Sequence, residues 1–489
     1  MSGTSYSRRQ VLGGGLLGLG AFVAESSLGR LRSGAFASET CATGSGGPGW
    51  ASPLEAMKAP REQFLYTVCH YSGTGVDQPD FLGVVDVQPG SDTYGKIVQR
   101  TSMPYVGDEL HHFGWQTCSS SNGSCGLERR HLIVPGFRSS RVHILDVKSD
   151  PRSPQIAKVI EPKEIIKKTG YSRPHTVHCL PGGIIVMSMM GDAKGNASGG
   201  LAVLDAKTFD VLGRWEKEKG PQSLAYDFWY QPRHNVLVTS EFAAPNTYEG
   251  GFKLDDVKAG KYGQRLHVWD LKKCSHIQTI DFGADGLVPL EIRGLHDPAK
   301  AGGYVAAALS STIWHWRPGT PKVGGGGAWT AEKVIAIDPI EAKGWPFPVP
   351  ALITDQVISL DDRYLYLSNW LHGDLRQYDI SDPAKPKLKG QLWLGGVLKE
   401  IKHPNGRKLN GGPQMLQLSL DGRRLYVTNG LQSQWDNQFY PGLEGWMLKV
   451  DIAEDGAMRL DPDFYVDFGK ARSHEIRLPN GDPTTEIWS

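Results

Sequence analysis

The stretch "GDELHHFGWQTCSSSNGSC", Gly107 to Cys125, sets His111 beside His112, with Asp108 and Glu109 before them and Cys118 and Cys125 after them. Adjacent imidazoles offer nitrogen donors of the kind that suits zinc, copper, iron and nickel. A histidine taken alone is more often a hydrogen-bonded core or surface residue than a ligand. Reading this stretch as a metal segment therefore depends on which other donors the fold brings beside it. Cys118 and Cys125 stand seven positions apart, wider than a thioredoxin-like CxxC. They read either as a disulfide closing "SSSNGS" or as two unconnected thiols, and neither is assigned a catalytic part.

The elements that must position these donors recur along the chain. An apolar strand runs into a Pro/Asp/Gly turn, a second strand follows, and a third ends in an Asp-containing turn, as in "LITDQVISLDDRYLYLSNWLHGDLRQYDISDP". Other copies begin at "HTVHCLPGGIIVMSMMGD", "LAYDFWYQPRHNVLVTSEF", "PLEIRGLHDPAKAGGYVAAALSSTIWHW", "PQMLQLSLDGRRLYVTNGL" and "HHFGWQTCSS". Repeats of roughly 40 to 70 residues with four strand signals each read as blades of a β-propeller. Six units lie in the interior, and a seventh is split between "QFLYTVCHYS" with "DFLGVVDVQPG" and the C-terminal "SHEIRLPNGD". The expectation is an all-β chain, a seven-bladed β-propeller closed by N- and C-terminal strands, forming one domain over residues 38–489. Such closure removes the edges an open sheet would expose. Two separate β-sandwiches are the alternative, and no linker between units supports them.

Aligning the first turn of each unit places His175, Tyr226 or Asp227, Glu291 or Ile292, Asp355, Gln414 or Met415, and His474 with Glu475 at the starts of innermost strands. His111 and His112 start another. Innermost strands line the central channel, so their starts converge near one end of it. His372 follows the second strand of its blade, which exits on the same face. His178 lies three residues into its strand, where the pleat can turn it away from His175. The candidate metal ligands are His111, His112, His175, His178, His372 and His474. Strand alternation lets only one of His111 and His112 ligate unless a bulge lies there. Glu291 and Asp355 are candidate general bases, or else acceptors that orient ligand imidazoles. A histidine-rich set without cysteine leans to copper or zinc. His131, His143, His234, His267, His276, His296, His315 and His403 read as structural, and Trp115, Phe228, Trp229 and Trp370 read as inter-blade packing or as walls of a small apolar pocket.

Lys+Arg 53 against Asp+Glu 52 leaves the charge nearly balanced, which argues against a nucleic-acid partner. Gly 60, Pro 31 and Trp 14 favour many short strands over helices. "SRRQVLGGGLLGLGAFVA" pairs Arg8 and Arg9 before a short apolar run, and "AFA" at Ala35 to Ala37 has a small-x-small form. This resembles a twin-arginine signal over residues 1–37. Its implication is export through the twin-arginine machinery to the periplasm, where disulfides persist. No later segment is long and apolar enough to span a bilayer.

The motifs "DELHHFGWQTCSS", "DFWYQPRHN", "PLEIRGLHDP", "LSNWLHGDLRQYDISDP" and "GGPQMLQLSLDGRRLY" resemble the selenium-binding protein and methanethiol oxidase family, in its bacterial, exported branch. The resemblance runs collinearly from about Ser52 to the last residue. It implies a seven-bladed propeller and a copper-dependent oxidase that takes methanethiol, oxygen and water to formaldehyde, hydrogen sulfide and hydrogen peroxide. The histidine-bearing motifs all match. Two departures stand out. Mammalian members carry a CxxC where this chain has the wider Cys118 to Cys125 spacing, and the mammalian selenium-linked cysteine falls at Gly95. Two further function classes fit the ring: a metal-dependent hydrolase, and a non-enzymatic carrier of metal or sulfur.

Overall fold

A computed structural model describes residues 47–124, 126–320 and 328–489. The segment read as a signal, residues 1–37, lies outside the described residues, as do Cys41 and Cys125. Seven four-stranded antiparallel sheets make the propeller that the repeats predict. Blade 1 is built from both ends of the chain, with Arg472–Arg477 innermost, followed outward by Phe64–His70, Phe81–Asp86 and Ile97–Ser102. The innermost strands of blades 2 to 7 are Gly114–Trp115, Tyr171–Leu180, Phe228–Gln231, Pro289–Gly294, Ile353–Ile358 and Leu416–Leu418. In blade 1, Tyr66 pairs with Arg477 and Cys69 with Ser473, and the Thr67 hydroxyl donates to the Glu475 carbonyl at 3.0 Å.

Burial falls outward along each blade. Pro289–Gly294 and Ile353–Ile358 are buried throughout, whereas the outermost strand Lys387–Trp393, "KLKGQLW", is largely exposed. An inner strand has neighbouring blades against both faces, so its polar side chains must find partners inside the protein. Turns follow the Asp/Gly signals. In "LDDR", Asp362 takes the left-handed conformation (φ 55°) that Asp tolerates better than most residues. Trp115, Phe228, Trp229 and Trp370 are each no more than 2% exposed and pack between blades. Burying one such indole, roughly 200 Å² of surface, is worth on the order of 5 kcal/mol of transfer free energy.

The cysteine reading is corrected. Cys118 is bonded to Cys179, 61 positions away, near the end of the innermost strand of blade 3. The short turn Ser119–Ser121 of blade 2 sits against that strand, with the bridged Cα atoms 6.3 Å apart. Contact between adjacent blades, not nearness in sequence, selects the partner. Among the described residues, no helix is long and apolar enough to cross a membrane.

Candidate metal centre

At the mouths of four innermost strands the backbone leaves β geometry. Glu109 (φ 52°), Arg173 (58°), Val288 (62°) and Leu352 (52°) are left-handed. Register slips follow between Pro174 and Val177, Pro289 and Ile292, and Ile353 and Asp355. Such bulges re-aim side chains. Two residues beyond the left-handed positions stand His111, His175, Leu290 and Thr354, and three beyond stand His112, Thr176, Glu291 and Asp355. Blades 1 and 4 set His474 with Glu475 and Tyr226 with Asp227 at the matching places, as a repeated latch shows. Asp227 accepts from the Ile292 amide at 2.6 Å, Asp355 from Leu416 at 2.7 Å, and Glu475 from Phe113 at 2.5 Å, each reaching the next blade.

This geometry corrects the expectation that strand alternation lets only one of His111 and His112 face the site. The pair precedes the strand proper, which begins at Gly114, so the pleat does not govern it. Gly114 itself must be small, because a Cβ there would lie 2.7 Å from the Val177 carbonyl of blade 3. His111, His112 and His175 each offer a ligand nitrogen, all within 4.8 Å of one another. The His474 ring stacks on His111 at 3.6 Å between centroids.

In His112, His175 and His474 the Nδ1 contact fixes which nitrogen is free. His112 Nδ1 lies 3.0 Å from Glu475 Oε1, and His474 Nδ1 donates to the Gly430 carbonyl at 2.7 Å. His175 Nδ1 is 3.1 Å from the Thr176 hydroxyl. His112 Nε2, His175 Nε2, His474 Nε2 and His111 Nδ1 are buried without a hydrogen-bond partner. Burial first, and neighbouring imidazoles next, hold His111 and His112 well below the usual histidine range; His175 is lowered for the same reasons. Burial also lowers His474 to about 4. All four are neutral at ordinary pH, the state a metal ligand needs. Orphaned neutral imidazole nitrogens of this number and closeness fit copper or zinc.

Beside the imidazoles lies a buried set of charges. Arg293 pairs with Asp227 at 3.1 Å, Glu291 at 2.9 Å and Asp355 at 3.1 Å, and Arg477 pairs with Glu475. Glu291 Oε1 stands 3.6 Å from His112 Nε2, while Oε2 is the oxygen that pairs with Arg293. Burial, with Asp227 nearby, pushes the Glu291 carboxyl well above the usual range, and burial raises Asp355 to about 7. Asp355 is otherwise occupied: Oδ1 accepts from the Gln356 amide and Arg293, and Oδ2 from Leu416.

On the other side of the imidazoles is an apolar cavity of about 40 Å³, lined by His111, Phe137, Tyr226, Tyr248, Leu290 and Trp435 among others. Phe137 stacks on His111 at 4.7 Å, and Tyr226 leans on His175 at 4.0 Å. The short helices Pro245–Tyr248 and Ser433–Phe439 roof it, joined by the Trp435 indole N–H donating to the Tyr248 carbonyl at 3.3 Å. Trp115, Phe228, Trp229 and Trp370 do not line it.

Two predicted ligands stand apart from the four. His178 is packed edge-on against Phe228 and Trp229, and His372 Nε2 bonds the Val349 carbonyl at 2.9 Å. Neither makes a ring contact with His111, His112, His175 or His474 among the described residues. Sequence reasoning passed over His70, at the end of the second strand of blade 1, buried with both ring nitrogens unpartnered. It also passed over Arg293 and Arg477. The repeated "EIR" of "LEIRG" and "HEIRL" signals that pair, since it sets a carboxylate and a guanidinium on one face of an otherwise buried strand.

Comparison with known proteins agrees with this architecture. The family model of the 56 kDa selenium-binding protein matches residues 44–489. A methanethiol oxidase of Xenopus tropicalis is 50% identical over 472 residues, covering 91% of this chain and 99% of its own. Selenium-binding protein 2 of Mus musculus is 49% identical, covering 90% and 98%. The crystal structure of a hypothetical selenium-binding protein from Sulfolobus tokodaii superposes with a TM-score of 0.87 at 50% identity, covering 90% of this chain and 98% of that one. The same propeller, matched over nearly its whole length in sequence and in structure, makes this chain a member of the 56 kDa selenium-binding protein family.

Proposed function

We propose that the protein is a copper-dependent methanethiol oxidase, converting methanethiol, oxygen and water to formaldehyde, hydrogen sulfide and hydrogen peroxide. The observation that carries this reading is the convergence of His111, His112 and His175, with His474 stacked on His111, each with an orphaned buried nitrogen, beside a small apolar cavity that His111 lines. Relatives named methanethiol oxidase at 50% identity support it. Copper held there would supply the Lewis acidity that favours a thiolate and a redox couple between thiol and oxygen.

The protein's own residues do the rest. His111, His112, His175 and His474 would hold the ion, and Glu475 orients His112 through Nδ1. The apolar cavity admits a small alkyl group and excludes water. Glu291, with Oε2 paired to Arg293 and Oε1 turned toward His112, is the residue placed to accept the proton released by the thiol or by its methyl carbon. Burial favours the neutral carboxyl and the Arg293 guanidinium favours the carboxylate, and Glu291 serves as acceptor in the ionised form that Arg293 supports. Asp355, with its oxygens committed, anchors Arg293 and the junction of blades 6 and 7. A hydrolase built on calcium would call for oxygen donors where this ring has imidazoles, and a carrier would have no need of an apolar, alkyl-sized cavity beside them.

Export to the periplasm by the twin-arginine route belongs to the same proposal. It is supported by Arg8 and Arg9 ahead of the apolar run, and by the Cys118–Cys179 bridge, which an oxidising compartment preserves. Changing both arginines to lysine should strand the precursor in the cytoplasm; an unchanged periplasmic yield would refute the route. For the chemistry, purified protein should carry copper and release hydrogen sulfide and peroxide from methanethiol. Calcium in place of copper, or no product, would refute the oxidase reading.

A further inference from the structure

The histidines occupy one arc of the ring. His474, His111 and His175 come from the consecutive blades 1, 2 and 3, and the matching places in blades 4, 5 and 6 carry Tyr226, Leu290 and Thr354. The cavity touches His111 on the first arc and Tyr226, Leu290 and Thr354 on the second. A molecule that presents sulfur to the imidazoles therefore sets its carbon end against the second arc. Two of the three residues there carry polar atoms. Tyr226 is braced on His175, and the Thr354 hydroxyl is tied to Ser368 at 3.2 Å. Leu290 alone is wholly apolar. It keeps 5% exposure where Glu291 and Ile292, next along the strand, keep 1% and 0%. Its backbone is fixed, since the Ser240 hydroxyl donates to its carbonyl at 2.7 Å.

We propose that Leu290 is the specificity-determining residue that limits the thiol to a one-carbon alkyl group, by filling the ring position that faces the histidines. This rests on the reading that the thiol enters this cavity. One methylene in an apolar pocket is worth roughly 10- to 200-fold in kcat/KM. In the copper-loaded protein, Leu290→Ala should therefore raise the kcat/KM ratio of 1-propanethiol to methanethiol at least about 10-fold, with copper per chain unchanged. Leu290→Phe should raise KM for methanethiol, again with copper unchanged. A third readout needs no metal: benzene should raise the Tm of Leu290→Ala and leave wild-type protein unshifted, because only the enlarged cavity holds it. Should Leu290→Ala fail to fold, Leu290→Val and Leu290→Phe carry the comparison. An unchanged ratio in a folded, copper-loaded small variant overturns the proposal, as does a wild-type KM in Leu290→Phe. Wild-type protein that oxidises no thiol would instead overturn the oxidase reading, and the benzene shift would still report whether Leu290 bounds the cavity.

Discussion

His112 reaches the site with one nitrogen committed and the other free. Glu475 accepts from Nδ1 and also from the Phe113 amide, so the carboxylate ties the ring to the turn that carries it. Glu475→Gln keeps an oxygen for the amide but removes the charge that favours this orientation. Copper affinity should then fall about 10- to 100-fold, the usual cost of losing such a partner. Competition with a coloured chelator measures this, and an unchanged affinity would mean that His112 does not hold the ion. His70 gives a prediction independent of metal. Burial, reinforced by Arg472 and Arg138 and opposed by Glu109, lowers it from 6.5 to about 4. Between those values the unfolded chain binds a proton that the folded protein refuses. The metal-free protein therefore loses stability as pH falls from about 6.5 to about 4, by about 1.4 kcal/mol per pH unit for this group. His70→Gln should flatten the plot of unfolding free energy against pH by that slope. Identical slopes for the two proteins would contradict the assignment.

The bridge between Cys118 and Cys179 joins two blades across 61 positions of chain. Closing a loop of that length is worth about 4 kcal/mol. Cys118→Ser should lower the unfolding free energy by that order in denaturant titrations, and an undiminished midpoint would show the bridge to be idle. Blade 1 is the other element on which the ring depends. Removing the chain from Ser473 onward leaves Phe64–His70 as an exposed edge and should cause aggregation at temperatures the whole protein tolerates. Undiminished thermal stability of the truncated protein would contradict this. Much of this level was legible beforehand. The turn signals located the blades, and the C-terminal "SHEIRLPNGD" announced closure. The disulfide was not legible, because its partner is set by which strand lies beside a turn. The paired approach of His111 and His112 was hidden too, since a left-handed Glu109 breaks the strand pattern without a glycine to mark it.

For the molecule as a whole, the propeller turns small local patterns into one site. Blades 1 to 6 each deliver two side chains at matching places, and the sequence chooses imidazole on one arc and apolar or hydroxyl groups on the other. Register along the repeat placed His111, His112, His175, His474, Glu291 and Asp355 at the starts of innermost strands, where the structure brings them near one another. It did not show that His178, three residues further along its strand, packs against Phe228 and Trp229, or that His372 reaches the Val349 carbonyl through Nε2, each without ring contact to the other four. Those distinctions depend on side-chain direction. Copper content and methanethiol-dependent peroxide formation, measured together on His175→Ala and His372→Ala, test the central claim most directly. His175→Ala should lose copper and peroxide formation while staying folded, and His372→Ala should keep both. Full copper and activity in His175→Ala, or their loss only in His372→Ala, would place the reaction elsewhere in the ring.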